Sequence, residues 1–216
     1  MRPIFTLLRK DLLTEWRQKH VLFGVLLYVG ATVFAVYSMS GQSEAEVWNV
    51  LFWMTQLFVA VNSVARSFLG ESGARYRYYY TLVKPSHFFV AKLVYSLLLQ
   101  GLVGIVSLGL FALLLGMPVL QAGRFLLAAG IGSASLAVVF AFLSAVASRA
   151  GGNAALMAIL GFPLLTPVLM MLSKLAIGTL TPVYVPGWWS LAGALAGFDM
   201  LVVILGLVLF PFLWKE

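Results

Sequence analysis

Few side chains in this sequence could do chemistry, and they are scattered. There are two histidines, His20 and His87, and neither has a carboxylate at metal-ligand spacing. Cysteine is absent, which excludes a thiol nucleophile, a disulfide framework and a cysteine metal site. No G-x-x-x-x-G-K-[ST] stretch is present to cradle nucleotide phosphates, and no H-E-x-x-H to hold zinc. The chain reads as a non-enzyme with no metal and no cofactor bound directly.

The remaining candidates are polar groups inside apolar stretches. Asp199 is the one acidic residue there, and an ionisable group at membrane depth is costly enough to need a partner or water. It is read either as a group with a conformational or transport role or as a buried structural hydrogen bond, with Lys174 and the polar segment after it as possible neighbours. Gln56, Asn62 and Gln100 are neutral, and such residues more often hold helices together than line a pathway. Gly193-x-x-x-Gly197 would permit close helix approach. Trp188 and Trp189 fit an aromatic belt at a membrane boundary or, as the sharper alternative, a surface for an aromatic ligand.

These residues need elements to position them, and the composition says what those are. Of 216 residues, 62% are hydrophobic and only 10% charged, against roughly a quarter charged in soluble domains. Polar groups are too few to coat a globule, so the fold class is an all-α polytopic membrane protein. Six stretches can cross a bilayer core, at 21–39, 47–65, 93–116, 125–147, 154–173 and 190–213. With the N-terminus inside, twelve of the fourteen basic residues fall on the inner side, and Arg124 and Lys174 on the outer. That bias places both termini in the cytoplasm.

Residues 2–19 put Ile4, Phe5, Leu8, Leu12 and Trp16 on one helical arc, with Arg2, Lys10 and Arg17 largely outside it. This is expected to be an interfacial helix on the cytoplasmic leaflet. Residues 66–92 form the longest hydrophilic break, mixing Arg, Tyr and Phe. They suit either a partner-docking segment or a basic loop at headgroup level. Pro163 and Pro167 each remove a backbone donor, so the fifth span is expected to kink or break. The apolar segment after Lys174, interrupted by Pro182 and Pro186, is expected to be re-entrant or interfacial.

Four stretches taken together, "RKDLLTEWRQKH", "FLGESGARYRYYYTLVKPSHFFVAK", "NAALMAILGFPLLTPVLMM" and "GFDMLVVILGLVLFPFLWKE", resemble the haem exporter protein B family in order and spacing along nearly the whole chain. That family supplies the membrane subunit of the cytochrome c maturation ABC transporter. The resemblance implies an ABC-2-type permease of six helices in the bacterial inner membrane that forms a homodimer and works with a separate ATPase subunit, through which ATP enters. It also implies haem-handling membrane proteins and a periplasmic haem chaperone as partners, with haem handled by the complex. The segment 66–92 would then be the coupling loop on the ATPase, with Glu71 at the family's acidic position and Gly73, Arg75, Tyr76 and Arg77 beside it. Two alternatives stay open: an ABC-2 permease for a lipid, glycan or drug, and a membrane scaffold that moves nothing.

Overall fold

A computed structural model describes residues 2–17, 19–40, 44–63, 83–149, 154–180, 182 and 186–214. Among these there are seven α-helices: α1 Arg2–Arg17, α2 Lys19–Ser40, α3 Ala45–Ser63, α4 Pro85–Leu114, α5 Ala122–Arg149, α6 Ala154–Leu180 and α7 Trp188–Trp214. Helices are what a bilayer permits, because each satisfies its own backbone groups. Four of them, α4 to α7, are long and apolar enough to cross a membrane. In α2 the long apolar stretch is Leu26–Met39, and α3 is diluted by Glu46, Asn49, Gln56 and Asn62.

Two boundaries differ from the sequence reading. α4 begins at Pro85 rather than 93, so the last eight residues of the expected loop are its first two turns. Lys84 is the N-cap in extended conformation and Pro85 opens the helix, where proline's missing N–H costs nothing and its fixed φ fits. α6 runs through Pro163 and Pro167 and past Lys174 to Leu180. The expected break is therefore not an interruption of the helix, and the chain from 174 to 180 is not re-entrant. Transmembrane helices tolerate proline where packing against neighbouring helices holds them, and α6 packs on α5, α3 and α7. Lys174 is exposed and imposes no end.

The bundle is organised around α5, which packs most extensively against α4, α6 and α7. Its apolar span is 67% buried, against 28% for α4 and α6 and 22% for α7. Small residues make this possible: Ala128, Ala137, Ala141, Ala145 and Ala147 are buried along it. At Gly132 the indole of Trp53 lies so close that an added Cβ would fall 2.2 Å from its ring. α3 packs on α4, α6 and α5, while α1 lies against the first turns of α4.

Candidate functional site

Neighbouring helices run antiparallel, so the bundle has two ends of different chemistry. One end gathers the start of α3, the end of α4, the start of α5, the end of α6 and the start of α7. Trp48 sits there at 0% exposure, stacked on Phe52 and edge-on to Phe111 and Phe125. Its indole N–H donates to the Gly116 carbonyl at 3.1 Å. Gly116 follows α4 with φ +77°, the left-handed backbone that ends helices and that glycine adopts without strain. The amides of Leu120 and Gln121 donate to the Thr179 carbonyl at 3.0 and 3.2 Å, tying the α4–α5 connection to the end of α6. Trp188 is buried, donates to the Leu175 carbonyl at 3.0 Å and carries Arg124 over its ring. Trp189 meets Trp188 edge-on and is 64% exposed. Trp188 is thus an internal clamp, a role outside both readings of the pair from sequence, and Trp189 alone faces outward.

The opposite end is closed by charge. Lys92 on α4 and Asp11 on α1 pair at 3.1 Å, with side chains only 6% and 8% exposed. Lys10 approaches the other carboxylate oxygen at 3.1 Å from a more exposed position. Beside the pair, Phe88 stacks on Phe210 of α7, Phe89 packs on the same ring, and Lys92 lies over Phe88. Removing one partner of a buried pair leaves the other charge poorly compensated, and Lys10 stays on Asp11 when Lys92 is lost. This pair is not singled out by the sequence, in which its members lie far apart along the chain.

Because Asp11 and Leu7 face inward, α1 turns a different side outward. Phe5, Leu12 and Leu13 are exposed there and, with Leu8 and Arg9, line a shallow concavity of about 300 Å³. The apolar arc expected to lie on the membrane is therefore split: Ile4 packs inside beside Leu7, Leu8 is half-buried, Phe5 and Leu12 are exposed, and the Trp16 side chain lies outside the described residues.

Inside the bundle, Gln56 and Gln100 are both fully buried and meet. The Gln100 amide donates to the Gln56 backbone carbonyl at 3.2 Å and to its side-chain oxygen at 3.3 Å. These two glutamines hold α3 to α4. Asn62 does not bridge helices: it is exposed and donates to Phe58 of its own helix at 2.8 Å. Asp199 lies between α7 and α5, where the Ser135 hydroxyl donates to its Oδ2 at 2.6 Å. Its partner is thus a serine on a neighbouring span, a residue too common to single out in sequence. Gly193 and Gly197 are exposed with open space beside them, so among the described residues no helix uses their close-approach spacing.

Glu71, Gly73, Arg75, Tyr76 and Arg77 lie outside the described residues, as does the His20 side chain. His87 is half-buried in the first turn of α4. Among the described residues no group of three metal-ligating side chains comes together.

With this geometry in place, comparison with known families is decisive. The family model described as "CcmB protein" matches residues 2–212. The chain belongs to the CcmB family. That family is haem exporter protein B, so the sequence resemblance stands, and the match takes in α1 to α6 and α7 as far as Phe212. Membership makes the chain a membrane-embedded, permease-type subunit of a cytochrome c maturation transporter, which is not itself an ATPase and which works with other components of that system. CcmB family membership and the four long apolar helices together indicate an integral inner-membrane protein. A search of the curated proteins gave no match.

Proposed function

We propose that this chain is the permease subunit of an ABC transporter for cytochrome c maturation, coupling ATP hydrolysis on a separate ATPase to haem delivery or to release of a haem-loaded periplasmic chaperone. The family match over residues 2–212 carries this reading. The absence of a phosphate-binding loop in the sequence supports a division of labour with another subunit. In this reading all of α2 to α7 cross the bilayer in an ABC-2 arrangement, two copies form a homodimer, and both termini are cytoplasmic. The charge bias of the sequence supports that orientation.

The charged end then faces the cytoplasm. α1 lies on the leaflet with Phe5, Leu12 and Leu13 toward the acyl boundary, an orientation favoured by their exposure. The segment containing Glu71, Gly73, Arg75, Tyr76 and Arg77 joins α3 to α4 at that end and is the docking element for the ATPase. Haem-handling membrane proteins bind alongside and supply the haem ligands.

Deleting the gene tests the function. Covalent haem staining of c-type cytochromes should be lost and return with the plasmid-borne gene; normal staining overturns the reading and favours a permease for another substrate. Gentle purification of the tagged chain should bring down an ATPase and haem-handling proteins. Glu71→Lys with Arg75→Glu should sever the ATPase, and full retention of it would remove docking from this segment.

A further inference from the structure

The interior of the α3–α4 interface is more polar than a membrane bundle requires. On α4, Lys92, Ser96, Gln100, Gly104 and Ser107 recur every three to four residues, which places them on one helical face, and all five are buried. On α3, Asn49, Trp53 and Gln56 share one face, also buried; Gln56 meets Gln100 of α4, while Asn49 donates to the Ser173 carbonyl of α6 and Trp53 lies against Gly132 of α5. Several of their polar atoms have no partner among the described residues: Asn49 Oδ1, Trp53 Nε1, Gln56 Nε2, Ser96 Oγ and Gln100 Oε1. Unpartnered buried polar atoms are rare, and each costs free energy unless an ordered molecule serves it.

Turning the amides over does not remove the deficit. As placed, the Gln100 amide donates and the Gln56 oxygens accept, leaving one donor and one acceptor over. If both side-chain amides are flipped, Gln56 Nε2 donates to Gln100 Oε1, and again one acceptor and one donor remain. Flipping only one sets like groups against each other. The leftover pair therefore calls for a ligand that accepts from one amide and donates to the other.

The surroundings suit a small one. Gly104 has no side chain, and a Cβ there would come 3.0 Å from Ser133 Oγ and 3.5 Å from Gln56 Oε1. The glycine thus leaves two oxygens facing the α4 backbone at this level. Ser133 is itself 8% exposed, so the site has side-chain oxygens from α3 and α5 as well as the Gln100 amide. Two to four polar partners are what a buried water needs.

We propose that the α3–α4 interface is a hydrated seam, with ordered water held between Gln56, Gln100 and Ser133 beside Gly104 and extending to the Trp53 indole on one side and Ser96 on the other. Water here lubricates the packing. Two helices joined through water can exchange one hydrogen bond for another as they shift, whereas a dry apolar joint must lose its contacts first.

Hydroxyl-radical footprinting of the intact complex in lipid nanodiscs tests this, because radicals made from bound water oxidise the side chains next to it. Trp48 and Trp53 are both buried. Trp48 lies nearer the end of the bundle, and its indole N–H is already satisfied by Gly116. Trp48 is 0% and Trp53 4% exposed, so exposure alone predicts slow and nearly equal oxidation of both. The hydrated seam predicts Trp53 oxidised several-fold faster than Trp48. The double variant Gln56→Leu, Gln100→Leu should bring Trp53 down to the Trp48 rate. Gly104→Ala, a smaller change, should lower it part of the way. Equal or slower oxidation of Trp53 in the unmodified protein overturns the proposal whatever the variants do, and so does a Trp53 rate that persists in a folded double variant.

Discussion

The two ends of this bundle are closed by opposite means. The end around Trp48 is joined by ring packing and by side-chain and backbone donors to carbonyls, with no charge at its centre. The end around Asp11 is joined by a buried ion pair between an N-terminal helix and a span. Aromatic packing gives a joint whose parts fail one at a time, since each ring keeps other neighbours. An ion pair in a low-dielectric site concentrates the joint in one contact, because losing either member leaves a buried charge less well compensated. The first is suited to holding a shape, the second to making an attachment conditional.

Substitutions can break or sharpen that contrast. The largest effect is expected at the charged end: Asp11→Ala should destabilise by about 3–5 kcal/mol, as for one member of a buried pair. Asp11→Ala with Lys92→Ala should cost clearly less than the two single losses added, as thermal unfolding in detergent would read; additive losses would mean that the charges do not act as a pair. At the aromatic end, Trp48→Ala should cost on the order of 3 kcal/mol, the lower part of the range for large aromatic truncations. Trp48→Phe should recover most of it, leaving the lost bond to Gly116. Trp188→Phe should cost about 1 kcal/mol, one hydrogen bond to the Leu175 carbonyl. Trp189→Ala, 64% exposed, should leave stability within about 0.5 kcal/mol; a larger loss would make Trp189 part of the joint.

The sequence made the helical membrane class legible because hydropathy and charge deficit are summed over many residues. Local signals were weaker. Pro85 after an extended Lys84 is a helix start, yet the surrounding lysines, serine and histidine masked it as loop. Pro163, Pro167 and Lys174 looked like stops, yet a helix packed on α5 and α7 runs through all three. Gln56 and Gln100 were recognisable as helix-joining types, but nothing in the sequence pairs them. Asn62, of the same type, turned to its own helix. Asp11 with Lys92, and Asp199 with Ser135, depend on which helices are neighbours, which residue type does not encode. For the segment with Glu71 and Arg75, family likeness remains the argument.

The continuity of α6 through both prolines has a mechanical meaning. Its 27 residues measure about 40 Å at 1.5 Å per residue, so a small tilt about its middle becomes a displacement of several ångströms at either tip. The tip at Thr179 is bonded to the amides of Leu120 and Gln121. Any such tilt must carry the α4–α5 connection with it or break both bonds. A push delivered where α6 begins is thereby felt on the far side of the bundle.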